Sequence, residues 1–353
     1  MTATQSFQHA LELLRHNSAL DQTLARASMA ALMTGEIADE EITAFLLGLR
    51  EKGETVDEVV GCAEAMRSHA LRFEVPASEA AHAVDTCGTG GDGQGTINVS
   101  TIAALIIAAA GVPVVKHGNR SVSSRCGSAD VLEALGINMT AEPPRMLECF
   151  KRTNFAFLFA PTYHPAMRHV AAARKALGVR TIFNLLGPLT NPSGLTRQVV
   201  GVSAKPHVQL LAQAFARLGA EHVAVVHGDD GLDEVTITTT TTVAEVHRGD
   251  PQALHASFDA EQTFGIRRAS LDQLRGGDAA TNARLATSLL GSGADAELRP
   301  MQEWLLVNAA WGIYVSGMYT DSIAQCFDVA RMALESGSAF QKLQDVQRCL
   351  PRP

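Results

Sequence analysis

Between Ala83 and Val115 the chain spells out a strand, a glycine-rich loop, a helix and a second strand. Ala83-Val84-Asp85-Thr86 reads as a short buried strand, followed by the loop Gly88-Thr89-Gly90-Gly91-Asp92-Gly93. The apolar run from about Ser100 to Ala110 reads as a helix that Gly111 ends, and Val112-Pro113-Val114-Val115 is the next strand. A βαβ unit of this kind makes parallel strands, which need helices over both faces. Further strands are expected at Phe155–Phe159, Gln198–Val202 and His222–His227. Val235 to Val246 alternates enough for an extended hairpin, with the threonine run Thr238–Thr242 as β-branched strand. From Leu271 the pattern is helical again.

Ahead of this unit the chain reads as helices. Gly35 and Gly53 stand where helix C-caps belong. Asp39 is placed to cap the helix carrying Ile42, Phe45, Leu46 and Leu49. Thr55-Val56-Asp57-Glu58 is a capping-box pattern ahead of Val59, Val60, Ala63 and Met66. The expected fold class is α/β: a small N-terminal helical domain, then a larger α/β domain with a mostly parallel central sheet. The boundaries are drawn at 1–75, joined by a segment near 165–190, and at 76–353.

Composition narrows the function. A net charge of −8 gives no basic stripe for nucleic acid, so any phosphate site is a local positive cluster in an acidic protein. The six cysteines form no C-x-x-C pair and read as reduced thiols of a cytoplasmic protein. Met1 to Asn17 is amphipathic and does not read as a signal peptide. The longest apolar run, Ile102 to Val115, is broken by Gly111 and Pro113 and too short to span a bilayer.

The loop fits G-x-G-x-x-G, so a dinucleotide site competes for it. Two features count against that site. The second strand ends in Lys116-His117-Gly118-Asn119-Arg120 where an acid is wanted, and Asp92 to Asn98 makes the loop too long. A phosphate cradle fits better, beside the remaining alternative of a purely structural turn. Glycine amides approach an oxyanion closely, and those of Ser100 and Thr101 lie at a helix N-terminus. Lys116, Arg120, Arg125, Ser123 and Ser124 emerge from the neighbouring strand end.

His227-Gly228-Asp229-Asp230-Gly231-Leu232-Asp233-Glu234 places four carboxylates within six residues. The bland alternative is a solvated turn. The functional reading is Mg²⁺, which takes one or two carboxylates and completes its shell with substrate phosphates. Asp233 and Glu234 are expected to open the next strand, with Asp229 and Asp230 as turn residues.

Three stretches then come together: Gly88–Asp92; Lys116–Arg120 with Ser123, Ser124, Gly127, Ala129 and Asp130; and His164-Pro165 through Arg174, Thr181, Phe183 and Asn184 to Gly187-Pro188-Leu189. With Asp233-Glu234 they resemble the anthranilate phosphoribosyltransferase family of tryptophan biosynthesis, over about Leu11 to Gly317. The resemblance implies transfer of phosphoribose from phosphoribosyl diphosphate to anthranilate with Mg²⁺, two ions per chain, in a homodimer formed by the helical domain. It implies that Gly88, Gly91, Asp92, Thr96, Asn98, Ser100, Thr101, Lys116, His117, Gly118, Asn119, Arg120, Ser121, Val122, Ser123, Ser124 and Ser128 surround phosphoribosyl diphosphate. Ser100, Asp233 and Glu234 would hold metal. Gly88, Asn119, His164, Arg174 and Gly187 would meet anthranilate, with His117 and Pro161 lining its approach. Lys116, Asn119 and Arg174 would be the catalytic set. Where the family has a glycine-proline-arginine-aspartate-like stretch, this chain has Arg299-Pro300-Met301-Gln302-Glu303-Trp304. A nucleoside phosphorylase of related fold and a non-catalytic nucleic-acid-binding homologue are the rival readings; no membrane contact is expected, and an amidotransferase partner is left open.

Overall fold

The computed structural model describes residues 3–121, 125–291 and 296–352, with backbone alone for residues 251–256. Val122, Ser123 and Ser124, expected in the second phosphate loop, lie outside the described residues.

Seven strands are described: β1 Asp85–Gly88, β2 Val114–Gly118, β3 Phe155–Phe159, β4 Arg197–Gly201, β5 His222–Gly228, β6 Thr241–His247 and β7 Asp250–Phe258. One sheet runs β1-β4-β5-β6-β7 and a parallel pair joins β2 to β3. A single parallel bridge, Val84 to Val114, links the two. β1, β4 and β5 are parallel, while β6 and β7 return antiparallel. In this register Gly88 lies beside Gly201, and Gly201 beside Val226, so the carboxyl ends of three strands share one edge.

The expected hairpin over Val235–Val246 does not form. β6 begins only at Thr241 and pairs with β5 on one side and β7 on the other. The cause is Asp230, whose Oδ2 accepts from the hydroxyls of Thr236, at 2.6 Å, and Thr238. Those threonines commit their side chains to a turn, so Asp233 and Glu234 sit in an irregular loop and open no strand. Asp39 is likewise the first helical residue of Asp39–Lys52; the N-cap is Ala38, without a side-chain bond. The Thr55–Glu58 capping box does form at the head of Val56–Ser68. Glu58 is fully buried there, and its carboxylate also accepts from Leu20 N and pairs with Lys52 at 2.9 Å. Gly35 caps its helix in the left-handed region at φ +80°.

Two apolar clusters cover the two faces of the sheet. Phe7, Phe45, Leu46, Val60 and Met66 of the helical bundle join Ile182, Leu185 and Leu186, and continue to Val200, Val223 and Val225. The bundle therefore shares its core with one sheet face. The other face, with Ala224 and Val226, packs against the helices Val99–Ala109 and Arg299–Ser316. Among the described residues no helix is long and apolar enough to cross a membrane.

Candidate active site at the carboxyl edge

The glycine loop leaves β1 in a conformation that side chains resist: Gly90, Gly91, Gly93 and Gly95 all have φ between +67° and +80°. Two carboxyl-edge glycines make room for the acidic loop. A Cβ on Gly88 would stand 2.6 Å from Asp233 Oδ2, and one on Gly201 would stand 1.6 Å from the Asp233 carbonyl. Asp233 then accepts from Gly90 N at 2.7 Å, which fixes acid and glycine loop to each other. Helix Arg299–Ser316 holds the far side. Trp304 Nε1 and Asn308 Nδ2 both donate to the carbonyl of Val235, the residue after the pair. Pro300 falls in the first turn of that helix, where a missing N–H costs nothing.

Asp233 and Glu234 both have carboxyl pKa values raised well above the usual range, first by burial and then by repulsion, from Asp92 on Asp233 and from Asp233 on Glu234. Asp233 is buried and Glu234 half-buried, and two neighbouring carboxylates that repel each other suit a cation. Lys116 and, more weakly, the Ser100 hydroxyl act on Glu234 in the opposite direction and favour its charged form. Asp92, Asp233 and Glu234 do not converge within 4.8 Å as a three-carboxylate cage. The oxygen donors thus fit Mg²⁺ with part of its shell left to water and phosphate.

Lys116 is buried on β2, where its ammonium donates to the Thr86 carbonyl and to Ser100 Oγ at 3.3 Å. Asn98, ahead of helix Val99–Ala109, donates to the Cys126 carbonyl and accepts from Asn282 Nδ2. Thr101 is buried in the first turn, and Thr96 bridges to Arg275. Asp92 Oδ1 accepts from Gln94 N at 3.2 Å.

At the end of β2 a Cβ on Gly118 would meet Ser128 Oγ at 2.4 Å. The Asn119 carbonyl accepts from Ser128 Oγ and Ala129 N, both at 3.2 Å. Arg120 turns from the edge: its guanidinium meets Asp130 at 3.1 Å and Glu133 at 2.6 Å. Ser121 N donates to Asp130 Oδ2.

The segment from Ala160 to Thr190 forms the other wall, with Pro161 in the short helix Ala160–Tyr163. His117 and His164 lie with ring centroids 5.1 Å apart, and His117 Nδ1 bonds the Gly187 carbonyl at 3.2 Å. Burial pushes their pKa values down to about 3 and about 4, so both rings are neutral at neutral pH. The Nε2 of each is buried without a partner among the described residues. Arg174, on Ala171–Leu177, sits 4.8 Å over the Phe183 ring, and burial alone lowers its pKa. Phe183 and Gly187 share the helix Ile182–Leu189, which brings Arg174 and His117 to one helix.

Four participants escaped the sequence reading. Arg180 donates to the Gly90 carbonyl at 2.6 Å, and a Cβ on Gly91 would stand 2.0 Å from its Nη1. Gly201, Asn308 and Trp304 position the acidic pair. Gly201 had a signal, a glycine closing a strand just as Gly88 does; Arg180, in a stretch without periodicity, had none.

The fold and site together define a glycosyltransferase. The helical bundle domain of a glycosyl transferase family matches residues 8–70, and the a/b domain matches residues 80–340. Within that class, an anthranilate phosphoribosyltransferase of Salinibacter ruber is 45% identical over 334 residues, covering 94% of this chain and 95% of that protein. The chain belongs to the anthranilate phosphoribosyltransferase family. The crystal structure of the Thermus thermophilus member has a TM-score of 0.87 at 40% identity, covering 96% of this chain and 98% of that one. A Saccharomyces cerevisiae member in complex with PRPP and Mg shares the fold, with a TM-score of 0.86 at 24% identity and 98% of each chain covered.

Proposed function

We propose that the chain transfers the 5-phosphoribosyl group from phosphoribosyl diphosphate to the amine of anthranilate, giving N-(5-phosphoribosyl)anthranilate and diphosphate. The observation that carries this reading is the Asp233-Glu234 pair, its first acid buried and fastened to the glycine loop by the Gly90–Asp233 bond, with Lys116 alongside. Four-tenths identity to named relatives over nearly the whole chain supports the choice of substrates.

Asp233, Glu234 and the Ser100 hydroxyl would hold Mg²⁺, two ions per chain. An ion held there would supply Lewis-acid neutralisation of the diphosphate charge. The amides of Gly91 and Ser100 and the Lys116 ammonium would point positive charge at the departing oxygens, while Gly90 N stays with Asp233. Gly88, Gly91, Asp92, Thr96, Asn98 and the run Lys116 to Ser124 with Ser128 complete the phosphoribosyl diphosphate contacts. Arg120 contributes through its backbone, since its side chain is engaged by Asp130 and Glu133.

Asn119 and Arg174 orient anthranilate, and Arg174 meets the carboxylate through its two-pronged guanidinium. His164, His117, Pro161 and Gly187 line the approach. Neutral imidazoles with such low pKa values are weak bases, so neither histidine is assigned proton abstraction. None is required, because an aryl amine attacks through its free lone pair and loses its proton after the bond forms. The reading also includes a homodimer through the helical part, resting on the family resemblance, and a division near residue 75, where the helical pattern gives way to the βαβ unit. Light scattering on the purified chain tests the dimer.

Purified protein with anthranilate, phosphoribosyl diphosphate and Mg²⁺ should extinguish anthranilate fluorescence, with one diphosphate released per anthranilate consumed. Folded protein that leaves the signal intact would sink the reading.

A further inference from the structure

A second group of chemistry-bearing side chains lies at the opposite edge of the sheet. His222 opens β5 and pairs directly with His247, which closes β6. Glu245 stands two residues before His247 and so shares its face. Strand β6 shifts register against β7 between Val243 and Glu245. Such irregularities re-aim side chains. His222 Nε2 lies 3.2 Å and His247 Nε2 3.0 Å from the same oxygen, Glu245 Oε2. The Tyr314 hydroxyl approaches that oxygen too, at 3.3 Å. Three groups thus crowd one carboxylate oxygen that has two lone pairs to offer.

We propose that His222, Glu245 and His247 are a three-ligand site for a divalent transition metal, Zn²⁺ being the best fit. Their ligand atoms all lie within 4.8 Å of one another. A tetrahedral ion with bonds of ~2.0–2.2 Å needs its ligands ~3.3–3.6 Å apart, so a modest contraction of the wider separation completes the site. Two imidazoles and one carboxylate suit zinc and disfavour Mg²⁺, which prefers oxygen. Tyr314 stacks edge-on against His222, with centroids 4.9 Å apart, and holds Glu245 in place. Glu245 and Tyr314 also line a cleft of about 310 Å³ with Trp311 and Asp259, leaving room for water or a small anion in the fourth position. The nearby cations Arg197 and Arg248 face Glu221, at 3.8 and 3.6 Å.

The ion would pin β5 to β6 about 20 Å, the length of β5, from the carboxyl edge. It takes no part in the proposed transfer. Its test is independent of that reading. The full chain is stripped with a chelator and titrated with Zn²⁺ in a large excess of Mg²⁺, which competes for the oxygen-donor site. Wild type should bind one Zn²⁺ that His247→Ala binds at least tenfold more weakly, and Zn²⁺ should raise the Tm of wild type alone. Co²⁺ should give a visible d–d band that the variant lacks. His222→Gln repeats the comparison should His247→Ala fold poorly. Equal Zn²⁺ binding by wild type and both variants overturns the site, as does absence of binding by wild type. Turnover with Mg²⁺ should be the same in His247→Ala and wild type; loss of turnover in both, with zinc still bound, would refute the transferase reading and leave this site standing.

Discussion

Arg174 carries its charge into a largely buried setting, over the face of Phe183. A guanidinium held there against an aromatic ring is poised for an anionic substrate. Arg174→Ala should raise the KM for anthranilate at least tenfold and leave that for phosphoribosyl diphosphate nearly unchanged. Arg174→Lys should restore little of it, because an ammonium lacks the paired donors. Equal effects on both KM values would contradict the assignment.

His117 and His164 make a pH prediction. The unfolded chain protonates both near pH 6.5. The folded chain keeps them neutral down to about 3 and about 4. Their contribution is therefore complete above pH 6.5 and is lost as pH falls toward the folded values. At pH 5 each costs about 2 kcal/mol. His164→Gln should shrink the stability difference between pH 7.5 and pH 5 by about that amount in urea titrations. An unchanged difference would mean that His164 charges freely in the folded chain.

At the scale of elements, the acidic loop lies where it does because strands β1 and β4 both end in glycine. Gly201→Ala places a methyl group on the Asp233 carbonyl. The loop must then shift, costing ~1–3 kcal/mol of stability. Turnover at fixed Mg²⁺ should fall far more than stability alone accounts for; a fully active, equally stable variant would contradict the placement.

The elements also show how legible the sequence was. The glycine loop, the helix after it and β3 could be read because apolar runs and glycine breaks alternate cleanly there. The strand after the acidic pair was begun too early because the run Thr238 to Thr242 reads as β-branched strand, of which only Thr241 and Thr242 lie in β6. The hydroxyls of Thr236, Thr240 and Thr242 instead satisfy Asp229 and Asp230, and no period reveals a long-range side-chain partner. Arg180 was invisible for the same reason: its bond to Gly90 spans ninety residues of chain.

The whole molecule is tied together by a core that bundle and sheet share. Phe45 and Leu46 belong to the same apolar cluster as Val200 and Val223. Arg67 donates to the Leu189 carbonyl at 2.6 Å, and Arg217 pairs with Asp57 across the same seam. Bundle and sheet should therefore unfold together. Trp304 and Trp311, both in the α/β part, should lose their fluorescence signal at the denaturant concentration where far-ultraviolet circular dichroism falls. Two separated transitions would show independent folding units. The same continuity lets Arg180, just after the helix that carries Arg174, hold the glycine loop through the Gly90 carbonyl.

Asp233 and Glu234 are proposed above to hold the metal for the departing diphosphate. The most direct measurement is turnover against Mg²⁺ concentration for wild type and Asp233→Asn at saturating substrates. The half-saturating Mg²⁺ concentration should rise at least tenfold in Asp233→Asn, with the KM for anthranilate unchanged. An identical Mg²⁺ dependence in the two proteins would contradict that role.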